Sequence, residues 1–304
     1  MSLTKESGIP DVQTSTGWRS PKESVRVTAG ELKLPSDVIH VWWASLDLAP
    51  PGYSVFKELL SKDESRRCEQ FRYERDRLRY CAGRSLLRML LSRYVRIPAS
   101  ELSFLQGPYG KPMLAGDILF FNMSKSAGRV VFAVSKNRRV GVDIEQICDH
   151  ADPDGIARRY FSIPEHSLLS SCSVERKSKL FLKCWTRKEA VVKAVGLGLS
   201  MPLDSFDVSR NLDGGTCSVR LETSVGALSQ WSVYDLAHMP GFAAAVAVEG
   251  SCCSIRQADV VAELGEMEDR FLRASANQRP ANDNSDIKPL TPERRYASEA
   301  RQLL

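Results

Sequence analysis

The sequence predicts an α+β fold in which one unit, an antiparallel sheet packed with helices, is used twice around a cleft. Three observations predict it. Short apolar runs of strand length, separated by Ser, Gly, Asn and Asp turns, fall into two groups, within residues 38–144 and 206–248. Each group keeps company with one long stretch of helical periodicity, 63–96 in the first half and 177–195 in the second. The halves also echo each other in order. Gly83 to Leu90 matches Lys188 to Val195 at an offset of 105, Ser103-Phe104 matches Ser205-Phe206 at 102, and the runs from Gly128 and Gly241 match at 113.

Residues 1–35 are polar, with scattered Ser, Thr, Gly and Pro and no sustained period, and predict a flexible lead-in. Residues 38–44, rich in β-branched and aromatic side chains, predict the first strand. The stretch 63–96 carries Leu78, Ala82, Leu86 and Leu90 at helical spacing. A strand near 102–105 leads into a turn from Gly107 to Pro112, and 119–122, 130–134 and 140–144 read as three more strands. Helices are expected at 158–161 and 177–195, then strands at 206–208, 218–222, 231–235 and 242–248. Residues 259–274 suggest an amphipathic helix with Val260, Leu264, Met267 and Phe271 on one side, and the Pro/Asn-rich 277–304 a disordered tail. The domain reading is thus an extension 1–35, halves 36–142 and 143–250, and an extension 251–304.

With 43% hydrophobic and 26% charged residues, the 304-residue chain has a soluble globular composition and ample material for a core. No apolar run approaches the roughly 18 residues that span a bilayer, and the first 30 residues hold no signal-like apolar segment, so a cytoplasmic protein is expected. The eight cysteines form neither C-x-x-C nor Cys/His ligand spacing, which argues against zinc and against a disulfide framework. The net charge of +5 is unevenly placed: residues 61–96 hold eleven Lys/Arg against five Asp/Glu. Such a stretch suits an anionic partner, nucleic acid included, or a solvated helix face.

The segment 141–198 concentrates candidate chemistry. In Gly141-Val142-Asp143-Ile144-Glu145 the two acids stand at i and i+2, one face of a strand. Their bland reading is an outward face with Val142 and Ile144 inward. Paired carboxylates repel unless a cation intervenes, and oxygen ligands suit Mg2+ shared with substrate phosphates. On the helix ending near Val195, Phe181, Trp185, Val192 and Val195 form the apolar stripe. Glu189 and Lys193 lie beside it at i and i+4, a pair worth only ~0.3–0.5 kcal/mol as surface decoration. Lys188 falls inside the stripe and must snorkel or meet an anion. On the first long helix, Arg84 and Arg88 plot on the solvated face, whereas Arg79 plots on the buried side and needs a carboxylate or phosphate.

These motifs resemble a known family. Tyr109-Gly110-Lys111-Pro112, Phe121-Asn122-Met123-Ser124-Lys125-Ser126, Gly141-Val142-Asp143-Ile144-Glu145, Arg159-Tyr160-Phe161-Ser162 and Trp185-Thr186-Arg187-Lys188-Glu189-Ala190 occur in the order and spacing of the Sfp-type 4′-phosphopantetheinyl transferases. The Trp185 to Ala190 form resembles that family's W/KEA branch. The resemblance spans about residues 38–250. It implies a pseudo-twofold fold, a monomer, and coenzyme A at the junction of the halves. It also implies Mg2+-dependent transfer of the phosphopantetheine arm to a serine of an apo acyl or peptidyl carrier protein, releasing 3′,5′-ADP.

By resemblance, Asp143, Glu145 and Glu189 hold the metal, Glu189 takes the serine proton, and Lys193 stabilises the pyrophosphate. Arg79 matches an arginine at the 3′-phosphate with Arg67 nearby, while Lys111, Ser124 and Lys125 contact nucleotide and phosphates. Arg158, Arg159 and Phe161 are candidate carrier contacts. Lys125 departs from the family, which usually has Ser-His where this chain has Ser124-Lys125; a lysine stays cationic across the working pH range. Two other classes compete: a relative that holds coenzyme A without turnover, and a nucleic-acid-binding protein using residues 61–96.

Overall fold

Two four-stranded sheets lie face to face, and each carries one long helix on its outer side. The structure, a computed structural model, describes residues 32–47, 56–116, 119–148, 152–212, 215–222, 228–237, 239–251 and 253–264. The first sheet has the order β10-β1-β5-β4, with β1 Val38–Ser45, β4 Phe120–Ser126, β5 Arg129–Ser135 and β10 Ser254–Asp259. The second has the order β6-β9-β8-β7, with β6 Val140–Gln146, β7 Thr216–Glu222, β8 Leu228–Asp235 and β9 Phe242–Glu249. A small hairpin, β2 Phe104–Gln106 with β3 Pro112–Leu114, stands apart. The expected α+β architecture of two helix-packed, largely antiparallel sheets holds.

Strand alternation builds the layers. Ile39, Val41, Trp43, Val131 and Ala133 face Val140, Val142, Ile144, Ala244, Val246 and Val248 between the sheets. The opposite faces serve the helices. Trp42, Val130, Phe132 and Val134 pack with Ala82, Leu86 and Leu90, and Trp231, Ala243, Ala245 and Ala247 pack with Phe181, Trp185 and Val192.

The long basic stretch is two helices, α1 Lys62–Glu69 and α2 Glu74–Val95, rather than the single helix expected. The break lets α1 fold back on α2. There the Glu64 carboxylate meets Arg84 and Arg88, Arg88 Nε lying 2.7 Å from Glu64 Oε2. Arg88, expected on the solvated face, is therefore buried. Arg66 and Arg77 also pair with acids of their own helices, so much of the basic stretch is neutralised internally.

In the second half come α3 Pro153–Tyr160, α4 Ile163–Ser171 and α5 Val174–Val195. Helix α4 went unpredicted although Ser162, Pro164 and Glu165 are start signals. Residues 206–208 form no strand, and β10 was not foreseen; it adds to β1 in parallel. The terminal helix is described only as α6 Val260–Leu264, and the rest of that expected helix, the tail and residues 1–31 lie outside the described residues.

The repeat is built into the core. Helices α2 and α5 each run 22 residues and end at a left-handed residue, Arg96 and Gly196. Before each comes a helix whose start places Ser-x-x-Glu: Glu64 accepts the Ser61 backbone N–H at 2.9 Å, and Glu165 that of Ser162 at 2.8 Å. Each glutamate then meets a buried cation, Arg88 or Lys188. Each cation donates to two carbonyls beyond its helix, Ala99 and Leu102 in one half, Leu203 and Phe206 in the other. Each also lies over a phenylalanine, Phe104 at 5.0 Å and Phe206 at 4.4 Å. The helices thus correspond at an offset of 100, Arg88 to Lys188; the apolar pattern alone suggested 105 because such patterns slip easily.

Candidate active site

The site forms where the edges of the two sheets meet. On one side β6 pairs with β9. Its other edge is closed by side chains of β4 instead of a backbone ladder. Asn122, Ser124 and Ser126, alternate residues on one face, all point that way. Asn122 Oδ1 accepts the Val142 N–H at 2.8 Å, and Ser126 Oγ accepts the Gln146 N–H at 3.1 Å. Ser124 Oγ donates to Asp143 Oδ1 at 2.8 Å, and Ser126 Oγ donates to Glu145 Oε2 at 3.0 Å.

Asp143 and Glu145 do share a face with Val142 and Ile144 turned inward, but that face looks toward helix α5 rather than water. Gly141, on the same face, shows how closely the helix approaches: a Cβ there would lie 2.8 Å from Ala194 Cα and closer still to Ala190 O and Ala194 N. One turn along the helix, Lys193 Nζ lies 2.7 Å from Asp143 Oδ1 and 3.2 Å from Ser124 Oγ. Asp143 is buried, and its Oδ2, like Glu189 Oε1, accepts no hydrogen bond among the described residues.

Glu189 and Lys193 form part of the wall of a cavity of about 580 Å³. The facing wall comes from the first half: Arg67, Arg79 and Tyr80 from α1 and α2, Lys111 from the hairpin, and Ser124 and Lys125 from β4. Lys125 Nζ sits 5.9 Å from the Tyr80 ring centre. Asp63 and Glu64 also line this wall, but Arg67, Arg79, Arg84, Arg88, Lys111 and Lys125 outnumber them, so the facing wall carries an excess of positive charge. Arg79 finds the carboxylate it needed in Asp47, Nε to Oδ1 at 2.6 Å. Lys111 turns its ammonium to Val140 O at 2.9 Å and Ala194 O at 3.2 Å, tying the hairpin to β6 and α5. Burial, with Arg139 adding to it, pushes the Lys111 pKa down to about 8.

The structure thus brings Ser124, Asp143 and Lys193 into contact, with Asp143 behind the cavity wall and Glu189 on that wall one helical turn before Lys193. Glu145 sits two residues farther along β6, bonded to Ser126 and off the cavity wall. Among the described residues no three His, Cys, Asp or Glu side chains close into a ligand group; Lys193 stands against Asp143. Lys188 meets its anion in Glu165 at 2.7 Å, with neither side chain exposed, so its role is structural. Phe161, a candidate carrier contact, is buried and stacked on Phe181 at 5.3 Å, which leaves its ring no surface to offer a carrier. Arg158 and Arg159 are exposed. Sequence reasoning missed Asp47, and it placed Asn122 and Ser126 in a polar, turn-like segment where the structure has the strand β4 and gives them the seam. The seam had a signal, since both stand two residues from Ser124.

Two family models match in tandem: the 4′-phosphopantetheinyl transferase N-terminal model over residues 49–138, and the 4′-phosphopantetheinyl transferase superfamily model over 139–247. Over 223 residues the chain is 33% identical to the 4′-phosphopantetheinyl transferase HetI of Nostoc sp., a span of 72% of this chain and 91% of that protein. The chain belongs to the 4′-phosphopantetheinyl transferase superfamily. It is similar also to the transferase Sfp of Bacillus subtilis, 34% identical over 52% of this chain and 70% of that one. The transferase AcpT of Escherichia coli is 36% identical over 40% of this chain and 58% of its own length. As a member, this 4′-phosphopantetheinyl transferase is an enzyme that moves the phosphopantetheine arm to carrier proteins. The boundary between the two matched models, at residues 138 and 139, falls just before β6, where the seam begins. No helix of the described residues is long and apolar enough to cross a membrane.

Proposed function

We propose that coenzyme A lies across the cavity between the halves and that its 4′-phosphopantetheine arm passes to a serine hydroxyl of an apo acyl or peptidyl carrier protein, with release of 3′,5′-ADP. The observation that carries this reading is that Glu189 and Lys193, one helical turn apart on α5, both line a cavity whose facing wall carries an excess of positive charge. A base and a cation side by side suit in-line displacement at a phosphorus. Glu189 takes the serine proton as the new O–P bond forms at the β-phosphorus. The bond from that phosphorus to the bridging oxygen breaks, and Lys193 stabilises the charge gathering on the departing phosphate. Ser124 and Asp143 hold Lys193 in place. Arg79, with Arg67, takes the 3′-phosphate; Lys111 and Lys125 add positive potential along the nucleotide.

The donors of Asp143, Glu145 and Glu189 are oxygen only, and Mg2+ is the hard cation such ligands favour, so these residues would hold it once Asp143 gives up Lys193 and Glu145 gives up Ser126. When bound it neutralises charge on the pyrophosphate. Both walls come from one chain, which supports a monomer, and the cysteines of the described residues are all free thiols, which supports a cytoplasmic enzyme. We assign the chain to the W/KEA branch on Trp185, Lys188, Glu189 and Ala190. Exposed Arg158 and Arg159 are proposed to meet an acidic face of the carrier. A nucleic-acid role fits less well, since Arg66, Arg77, Arg84 and Arg88 are engaged by acids within the fold.

The test is a panel of apo carriers incubated with coenzyme A and Mg2+, read by intact-protein mass. Wild type adds the arm, whereas Glu189→Ala and Asp143→Ala do not. Fully active Glu189→Ala and Asp143→Ala variants would sink the residue assignments. Calorimetric coenzyme A binding with no carrier modified would favour a non-catalytic relative.

A further inference from the structure

We infer that Asp47, just beyond the end of β1 and off the cavity wall, is a positioning residue that aims the Arg79 guanidinium at the 3′-phosphate of the bound nucleotide. The inference rests on the coenzyme A reading above. Asp47 grips one edge of Arg79: Oδ1 accepts from Nε at 2.6 Å and Oδ2 from Nη2 at 3.0 Å. That leaves Nη1 and the second Nη2 hydrogen to reach a ligand, while Arg79 itself lines the cavity.

The surrounding backbone is shaped around this pair. Gly128, in the β4–β5 turn, has φ +76°, and a Cβ there would collide with Asp47 Oδ2 and come within 2.8 Å of Arg79 Nη2. Leu46 N donates to Gly128 O at 2.7 Å, fixing the chain next to Asp47 on that turn. Three separate elements, the end of β1, the turn and α2, therefore converge on one guanidinium. With side-chain exposures of 54% for Asp47 and 23% for Arg79, the pair contributes little to stability. What it supplies is orientation of a planar fork, which phosphate recognition needs.

Chemistry selects the phosphate. The pyrophosphate must reach Glu189 and Lys193 on α5, so the anion left for Arg79 on α2 is the 3′-phosphate. Two effects of Asp47 oppose each other: its charge repels the phosphate through partly screened solvent, and its grip removes rotamer freedom that binding would otherwise have to freeze. For a half-exposed carboxylate the second wins.

Kinetics and calorimetry with coenzyme A and with 3′-dephospho-coenzyme A test this. Asp47→Ala is expected to raise KM and Kd for coenzyme A about tenfold, with kcat unchanged. The values for 3′-dephospho-coenzyme A stay put, and Asp47→Asn, which keeps one acceptor, recovers part of the loss. In an Arg79→Ala background, Asp47→Ala changes nothing further. Tighter coenzyme A binding by Asp47→Ala, or equal loss for both nucleotides, overturns the inference while leaving the coenzyme A reading intact. A wild-type protein that binds neither nucleotide overturns both.

Discussion

Replacing Gly141 with alanine isolates how the packing of α5 on β6 builds the active site. Gly141 has an ordinary strand backbone and is absent from the left-handed glycines, so alanine meets no conformational penalty there. The obstacle is steric and made of backbone. The new Cβ would lie 2.8 Å from the Ala194 α-carbon, where ordinary van der Waals separation begins at 3.4 Å, and nearer still to Ala190 O and Ala194 N. Clearing that carbon alone needs a retreat of about 0.6 Å, and the other two atoms demand more. Neither element can rotate a side chain away, so α5 must move off the sheet. Overpacking of this kind costs about 1–3 kcal/mol. Lys193 adjoins Ala194, so the same shift draws its ammonium from Asp143, where it now sits at 2.7 Å. A misplacement near 1 Å costs up to ~10²-fold in rate, and we expect kcat to fall at least tenfold. Urea denaturation reads the stability loss and intact-mass transfer assays the rate. The control is Gly83→Ala in α2, whose Cβ would meet only a Leu46 methyl at 3.6 Å and should stabilise by about 0.5–1 kcal/mol through helix propensity. A Gly141→Ala enzyme with wild-type stability and kcat would refute the reasoning.

Glu165→Ala strands the fully buried Lys188 ammonium and should cost about 3–5 kcal/mol in denaturant unfolding, and Glu165→Leu combined with Lys188→Met should recover only part of it, because the Ser162 and Val208 N–H groups and the Leu203 and Phe206 carbonyls lose their partners. His40, buried with Nδ1 on Tyr94 Oη at 2.7 Å, has its pKa pushed down to about 4 from 6.5, first by burial and then by Arg256. The unfolded chain therefore takes up a proton that the fold refuses as pH falls from 6.5 to 4. Stability should drop by up to about 3 kcal/mol across that window, and urea midpoints of His40→Gln should lose that part of the slope. Lys111, with a pKa near 8, loses its charge as pH rises through that value, so coenzyme A affinity should weaken roughly threefold from pH 7 to 9. Calorimetry on Lys111→Arg, which keeps its charge, should show no such step. Lys125→His should add a second step in the same direction at lower pH, with affinity falling as pH rises from 6 to 7.5 and the imidazole discharges.

Much of the fold was legible because strand and helix periods are local. The runs around Val41, Phe132, Val142 and Val246 alternate as strands must, and Trp185 and Val192 repeat as one helix face. Helix α4 was also legible in principle, through Ser162, Pro164 and Glu165. The break between α1 and α2 was not, because Gln70 to Tyr73 carries no Gly or Pro; what holds α1 folded back on α2 is Glu64 meeting Arg84 and Arg88, an ion cluster across about 20 residues. β10 was hidden for a similar reason: its register comes from β1, more than 200 residues away.

For the site, the sequence by itself determined the residue types and their faces: two acids at i and i+2 on a strand, an acid and a lysine at i and i+4 on a helix. Only the tertiary structure decided their relations. It put the acids under α5 rather than in water, because Gly141 lets the helix touch the sheet. It spent Lys188 and Arg88 on matching internal ion pairs, since a cation withdrawn from water must find an anion. It gave Arg79 to Asp47, a partner 32 residues earlier that no local period could indicate. Periodicity is a property of neighbours along the chain, while charge compensation and close packing are settled by whichever groups folding brings together.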